Sequence, residues 1–310
     1  MNAPSAQSTW RAAVYSIAFM LIGILLLDCM GATAKYLGQR YTAQQISVAR
    51  NLFGLIPTFM ILLWEGRGRI GLHSLHLRQW KLGLARGSMV AIAQLALYGA
   101  YLRLELASVA VIAYAGPFFI TMLSIPLLGE QVGPWRWAAV LCGFVGVVLV
   151  IGPGTEMFTW YGVLPAVAAF FYATTLVLTR KFDHSASHAA INLYSQVGAL
   201  TGATLILLAT TGLDMRPDGV MDLPADVGFA VLLGGFGGFG VYLLTLAYRR
   251  TSASLLAPFE YFGVLTALAV GWIVFGEWPV ERIFPGVLFI VGAGLVIILR
   301  ERRTGPAKSG

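Results

Sequence analysis

Long apolar stretches run along almost the whole chain and are separated by short segments that hold most of its charged residues. A helix that crosses a bilayer needs about 20 mostly apolar residues. Ten stretches fit this requirement, at residues 12–36, 44–64, 80–102, 108–128, 135–151, 160–179, 188–212, 225–248, 253–275 and 282–299. The pattern therefore predicts an all-α polytopic membrane protein with ten transmembrane helices, of which the fifth and the tenth are short.

A motif in the first half of the chain recurs in the second half. The matching pairs, with one single-residue gap, are Ala107-Ser108 with Ala253-Ser254, Tyr114 with Tyr261, and Gly129-Glu130 with Gly276-Glu277. Duplicated sets of apolar helices are typical of transporters, whose substrate site lies between the two copies. Because each half holds five spans, an odd number, the second half is expected to lie inverted in the bilayer. We therefore predict two inverted five-helix repeats that work by alternating access around one site.

The basic residues are distributed unevenly between the predicted loops. If both termini lie in the cytoplasm, 14 of the 21 Lys and Arg residues fall on the cytoplasmic side, four fall on the outer side and three lie within spans. The positive-inside rule favours this orientation. The sequence thus predicts a multi-pass protein of the bacterial inner membrane with both termini in the cytoplasm.

Composition narrows the function classes further. Charged residues make up only 11% of the chain, whereas soluble proteins contain about 25%. The net charge of +7 lies in short loops without interleaved aromatic residues, so no nucleic-acid partner is expected. Cys29 and Cys142 lack metal-ligand spacing, so neither a metal nor a cofactor is expected. An intramembrane lipid-modifying enzyme is the rival class, but no nucleophile–base pair or acidic metal motif supports an enzyme.

The repeated motifs resemble those of the EamA-type branch of the drug/metabolite transporter superfamily. The residues that carry the resemblance are the doubled Gly-Glu pair together with Pro117, Trp135, Gly143, Gly146, Glu260 and Gly292. The resemblance implies ten helices around a central cavity that is lined mainly by the first four helices of each half. It also implies an EamA-like repeat at residues 1–152, a second at 153–303, and a cytoplasmic tail at 304–310.

The same resemblance implies a secondary transporter of small metabolites that hydrolyses no ATP. Within the superfamily we expect an amino-acid exporter, of the aromatic-exporting, YddG-like type. Nucleotide-type metabolites and drugs are the alternative solutes. The expected partners are the solute, the lipid bilayer, protons and a second copy of the chain, since the fifth and tenth helices carry small residues suited to a homodimer.

Charged residues inside predicted spans are candidates for function because charge is costly within a bilayer. Asp28 and Lys35 lie seven residues apart on one helix face, roughly 10 Å from each other, which is too far for a direct salt bridge. Each is therefore expected to find its partner on another helix, in water or in the substrate. Asp28 and Glu260 are candidates for coupling to protons or substrate. The alternative is that Lys35 reaches the outer surface, while Asp28 bonds a neighbouring helix and Glu260 accepts hydrogen bonds near Pro258.

Two arginines lie inside the second and third spans. Arg50 and Arg86 are each about six residues from an end of the span. A guanidinium binds a carboxylate through two parallel hydrogen bonds, so either residue is a candidate to contact a substrate carboxylate. The competing interpretation is that each reaches the membrane interface or pairs with Asp28 or a backbone carbonyl.

Other residues are candidates through their shape or through the helix breaks that they cause. Polar and aromatic side chains that suit a cavity wall include Gln94, Tyr98, Tyr114, Tyr261 and Trp272. Pro117 and Pro258 occupy corresponding spans of the two halves, where interrupted helices indicate a binding site. Residues 235–240 match the dinucleotide motif G-x-G-x-x-G, but they lie in an uncharged span without a preceding strand. We predict that these glycines instead allow close helix packing.

Overall fold

The computed structural model describes residues 6–65, 77–113, 115–129, 134–151, 159–179, 181–182, 188–212, 216, 223–250, 262–278, 280–289 and 291–292. The named helices within these ranges are α1 (Ala6–Leu37), α2 (Ala43–Phe53), α3 (Leu55–Glu65), α4 (Trp80–Tyr101), α5 (Leu106–Ala113), α6 (Gly116–Leu128), α7 (Pro134–Ile151), α8 (Trp160–Thr179), α9 (His188–Thr211), α10 (Leu223–Arg250), α11 (Phe262–Phe275) and α12 (Val280–Ile283). No strand occurs in these ranges. The predicted all-α class is therefore confirmed.

Seven stretches of the described chain are long and apolar enough to cross a membrane. They are Val14–Leu37, Ala43–Trp64, Trp80–Tyr101, Leu106–Leu128, Trp160–Thr179, Ala190–Thr211 and Pro224–Ala247. These stretches correspond to the first four predicted spans and to the sixth, seventh and eighth. The predicted fifth span coincides with α7, while much of the ninth and tenth lies outside the described residues. The count of ten spans stays a prediction.

Two of the spans each consist of two helices. In the second span, α2 begins at a capping box in which Thr42 and Gln45 bond each other's backbone N–H groups. Gly54 separates α2 from α3 and donates its own N–H to the Arg50 carbonyl at 2.9 Å. In the fourth span, α5 ends at Ala113 and α6 begins at Gly116, with a proline in its first turn. Proline suits this position because the first turn needs no backbone donor.

The glycine of each Gly-Glu pair ends a helix. Gly129 follows α6 with φ 70°, and Gly276 follows α11 with φ 71°. Their N–H groups return to the carbonyls of Ile125 and Trp272, respectively. Because a left-handed residue at the end of a helix is most readily a glycine, the repeated motif encodes the same sharp helix stop twice. In the second pair, this stop positions the glutamate that follows it.

The glycine-rich run lies in the middle of α10, which is one continuous helix. A Cβ added to Gly238 would lie 2.2 Å from Cγ of Pro57 in α3, and one added to Gly240 would lie 3.1 Å from the carbonyl oxygen of Gly23 in α1. No phosphate-binding loop exists there. The predicted role in close helix packing is confirmed for Gly237, Gly238 and Gly240, whereas a Cβ on Gly235 would meet no atom within 4 Å.

Helices α4 and α9 approach each other as closely through a second set of glycines. A Cβ added to Gly87 would lie 2.1 Å from the Ser195 carbonyl oxygen, and one added to Gly198 would lie 2.4 Å from that of Leu84. Such distances mean that the two backbones touch with no side chain between them. Small residues serve this purpose in membrane proteins, where packing rather than water exclusion drives helix association. The contact joins the first half of the chain to the second.

Candidate functional site

A group of polar side chains lies between α2, α4 and α9, in the interior of the helix bundle. We call Arg50, Asn51, Gln94 and Gln196 the central polar cluster. The first two belong to the face of α2 that is buried within the bundle. Gln94 is 2% exposed. Polar groups in a bilayer must find partners within the protein, and these residues find them in one another.

Five hydrogen bonds connect the central polar cluster, the longest of which runs from the Gln196 amide to Asn51 Oδ1 at 3.5 Å. The Asn51 amide donates to Gln94 Oε1 at 2.8 Å, and the Gln196 amide donates to the Asn51 backbone carbonyl at 2.8 Å. The Arg50 guanidinium donates through one terminal nitrogen to Asn51 Oδ1 at 3.1 Å and to Gln196 Oε1 at 3.4 Å. Residues from both halves of the chain thus form one polar network.

Arg50 carries the positive charge of this cluster. Its side chain is buried, and its Nε atom has no hydrogen-bond partner among the residues that the structure describes. The guanidinium also faces the hydroxyl of Tyr98, and its charge acts on Tyr172. Within the described part of the chain, no carboxylate forms an ion pair with Arg50. A buried charge that meets only neutral partners is costly.

A second group of contacts lies at the end of the bundle where α1 ends, which we call the Lys35 end. Lys35 forms an ion pair with Glu277 and donates a further hydrogen bond to the Leu104 carbonyl at 2.6 Å. The second oxygen of Glu277 accepts the N–H of Leu106, the first residue of α5, at 3.0 Å. The partner expected for Lys35 therefore comes from the second half of the chain. Glu277 connects the turn after α11 to α1 and to α5. This agrees with the structural role expected of the Gly-Glu pair.

A further ion pair reinforces the Lys35 end. Arg40, in the turn after α1, contacts Asp226 of α10 at 3.0 Å, and the Tyr41 hydroxyl donates to the same carboxylate at 3.0 Å. Burial raises the pKa of the Tyr41 phenol, and the hydrogen bond to Asp226 raises that pKa further. The phenol therefore stays a donor at neutral pH. Next to these residues the Tyr36 and Phe229 rings lie 4.6 Å apart, so the two halves are joined at this end by charge and by ring packing.

Asp28 and Arg86 have partners on neighbouring helices. The Asp28 carboxylate accepts the Thr266 hydroxyl of α11. Arg86 Nε donates to Thr179 Oγ1 at 3.0 Å, and a terminal nitrogen of Arg86 donates to Ser195 Oγ at 2.7 Å. These bonds agree with the alternative in which Asp28 bonds another helix. Because Arg86 Nε is bonded whereas Arg50 Nε is not bonded within the described chain, Arg86 is the weaker of the two candidates for a substrate carboxylate.

The other candidates divide into three groups. Gln94 belongs to the central polar cluster and Tyr98 lies beside it. Trp272 is 59% exposed on α11, with its ring against Trp278, as expected for a side chain that faces lipid rather than a cavity. The remaining candidates, Tyr114, Pro258, Glu260 and Tyr261, lie outside the described residues, as does the side chain of Pro117.

Sequence reasoning missed two members of the central polar cluster. Asn51 and Gln196 are uncharged, whereas the first candidates within the spans were chosen for their charge. An amide side chain inside an apolar span was the signal that would have found them. Among the described residues, no group of three or more His, Cys, Asp and Glu side chains is placed to hold a metal ion.

Comparison with known proteins places this fold among membrane transporters. The model of the EamA-like transporter family matches residues 14–152 and 159–300. A riboflavin transporter of Brucella anthropi is 25% identical over 277 residues, which are 89% of this chain and 95% of that protein. An S-adenosylmethionine uptake transporter of Rickettsia felis is 22% identical over 93% of both chains. A pseudopaline exporter of Pseudomonas aeruginosa is 24% identical over 91% of this chain and 95% of its own length.

The fold also matches that of a solved structure. One crystal structure superimposes with a TM-score of 0.61, covering 96% of this chain and 99% of the other at 17% sequence identity. At this identity the likeness shows a shared fold alone. The family match and the full-length relatives carry the functional argument.

Proposed function

We propose, because the chain belongs to the EamA-like transporter family, that this multi-pass membrane protein is a secondary transporter of metabolites built around a heterocycle. The named substrates of full-length relatives include riboflavin and S-adenosylmethionine. None of the three relatives compared above is named for a proteinogenic amino acid. These names favour another solute class, of the nucleotide type, over the amino-acid export that we expected from the sequence.

The central polar cluster is the observation that carries this proposal. It lies where α2, α4 and α9 meet, and it links side chains of both halves through amide hydrogen bonds. Amide groups offer donors and acceptors side by side, which is what the ring nitrogens and carbonyls of a heterocycle require. The Tyr98 ring is fully buried beside Arg50, and opening of the bundle would expose an aromatic surface of the kind that stacks on flat rings.

The packing of the helices supports two inverted repeats that move relative to each other. Helix α1 contacts α10 and α11, and helix α8 contacts α4 and α6. In a five-plus-five arrangement α8 corresponds to α1, α4 to α10, and α6 to α11. Equivalent helices therefore make equivalent contacts, as inverted repeats require for alternating access. We place both termini in the cytoplasm, so that the Lys35 end, where ion pairs join the two halves, faces outward.

Proton coupling belongs to the same proposal. Asp28 of α1 is bonded to Thr266 of α11, so its protonation state affects a contact between the two halves. Glu260 is the second candidate for coupling. Protonation makes Asp28 a weaker acceptor for the Thr266 hydroxyl, so this residue is a suitable coupling element between proton binding and helix movement.

Uptake into proteoliposomes tests the proposed function. Purified protein is expected to move radiolabelled riboflavin or S-adenosylmethionine saturably, and an imposed pH gradient is expected to drive accumulation. Asp28→Asn, which keeps a hydrogen-bond acceptor for Thr266, is expected to retain exchange of solute but to lose the response to the gradient. Saturable uptake of aromatic amino acids, without uptake of either heterocyclic solute, would instead restore the original expectation of an amino-acid transporter.

A further inference from the structure

Arg50 differs from the partly buried cations of the described chain. Lys35 and Arg40 each contact a carboxylate, and Arg86 donates to two hydroxyl groups. Among the described residues, Arg50 is 8% exposed, contacts neutral amides and the Tyr98 hydroxyl, and leaves its Nε atom without a partner. It is therefore a buried positive charge whose hydrogen-bonding capacity is incompletely used.

Such a charge is expected to attract an anion. A guanidinium within a membrane protein carries a large desolvation penalty, which neutral amides offset only in part. Its Nε and adjacent terminal nitrogen form a planar fork that matches the two oxygens of a carboxylate or the oxygens of a phosphate. The unpartnered Nε is one arm of that fork.

On the α10 side, the fork faces the helix backbone and the Met30 sulfur atom rather than a carboxylate. Gly237 of α10 faces the fork, and a Cβ at this position would lie 3.1 Å from both Nε and a terminal nitrogen of Arg50. The Tyr98 hydroxyl, which donates a long hydrogen bond of 3.9 Å to Met30 Sδ, also lies against the guanidinium. A phenol held so weakly is able to donate a hydrogen bond to an anion there.

We infer that Arg50 binds the anionic group of the transported solute, a carboxylate or a phosphate, and so makes the protein prefer solutes that carry one. This inference rests on the proposed function, because it assigns a substrate group to the same central polar cluster. Arg50 binds the charged group, and the amides and Tyr98 contact the rest of the solute. The solute neutralises the guanidinium when it enters the bundle.

Two matched pairs of compounds test this inference on the purified, full-length protein. S-adenosylmethionine and its decarboxylated form differ by a carboxylate, and flavin mononucleotide and riboflavin differ by a phosphate. Calorimetric titration is expected to give tighter binding of the anionic member in at least one pair, by about tenfold to 100-fold. The pair that shows the preference distinguishes a carboxylate from a phosphate. Arg50→Gln is expected to reduce the preference to less than about threefold, and Arg50→Lys to retain part of it.

The control variant is Arg103→Gln, which removes a cation from an exposed position and is expected to leave the preference unchanged. Equal binding of both members of each pair, or a preference that survives Arg50→Gln, would overturn the role of Arg50 and leave the proposed solute class intact. Failure of all four compounds to bind would overturn the solute class itself, and the inference with it.

Glu260, outside the described residues, provides a competing explanation as an internal counter-ion for Arg50. If it neutralised Arg50 permanently, Arg50→Gln and Glu260→Gln would each destabilise the protein, and the double variant would recover its thermal stability. That recovery, without any loss of preference in Arg50→Gln, would also contradict the inference. Additive destabilisation in the double variant, together with the loss of preference, would support it.

Discussion

Replacing Lys35 by alanine is expected to lower the free energy of unfolding by about 3 kcal/mol, because removal of one partner leaves the other charge of a largely buried ion pair uncompensated. The side chains of Lys35 and Glu277 are only 16% and 17% exposed. The substitution also removes the ammonium group that donates a hydrogen bond to the Leu104 carbonyl. Thermal unfolding in detergent, followed by tryptophan fluorescence, measures the loss. Lys81→Ala is the control, because Lys81 is exposed at the start of α4.

Substitutions of Glu277 separate its two roles. Glu277→Gln removes the charge but retains an oxygen that accepts the Leu106 N–H, whereas Glu277→Ala removes both. The alanine variant is therefore expected to be the less stable of the two. The exchange of both residues, Lys35→Glu with Glu277→Lys, is expected to recover only part of the stability, since a lysine at 277 has no acceptor for Leu106. If Lys35→Ala unfolded at the same temperature as the parent protein, the ion pair would not contribute to the stability of the fold.

Gly87→Ala is expected to have an effect of similar size by a steric route. The added methyl group would lie 2.1 Å from the Ser195 carbonyl oxygen and 2.7 Å from the Ala199 backbone nitrogen. Neither backbone atom is able to move as a flexible side chain would, so α4 and α9 must separate. Overpacking of this kind is expected to destabilise the protein by about 3 kcal/mol. The yield of monodisperse protein and its thermal unfolding temperature measure the result.

Gly235→Ala is the matched control for that substitution. Gly235 also lies within a span, in α10, but a Cβ there would meet no atom within 4 Å. Alanine favours helix over glycine by about 1 kcal/mol, so this variant is expected to be as stable as the parent protein or slightly more so. If Gly87→Ala behaved in the same way, the close contact between α4 and α9 would not exist in solution.

The spans themselves were readable from the sequence because the bilayer sets their length. The stretch predicted at 160–179 is α8, Trp160–Thr179, and the one predicted at 188–212 is α9, His188–Thr211. The division of the second span at Gly54 was not predicted. It depends on a tertiary contact, since a Cβ on Gly234 of α10 would lie 2.6 Å from the Gly54 nitrogen. Hydropathy along one segment contains no information about such an approach.

The candidate site was predictable in its charges but not in its pairings. Arg50 stood out because a cation inside a span needs an explanation, and Lys35 was expected to find a partner elsewhere. Glu277, the partner of Lys35, is separated from it by 242 residues in the chain, so only the fold brings the two together. The amides of Asn51 and Gln196 inside apolar spans are a weaker signal, because a neutral polar group costs less than a charge in the bilayer. Which solute binds depends on how all these side chains are arranged in three dimensions. The spacing of residues along the sequence therefore gave no support for amino acids as the solute.

The division of ion and hydrogen-bond partners between the two halves has a consequence for biogenesis. Lys35 and Arg50 enter the membrane early in synthesis, whereas Gln196 and Glu277 are made much later. Residues 1–152 expressed alone would hold both cations in the bilayer without these partners, and we expect cellular proteases to degrade this fragment. Co-expression with residues 153–310 is expected to restore a stable complex. During normal synthesis the first half therefore lacks these partners in the membrane until most of the second half has been inserted.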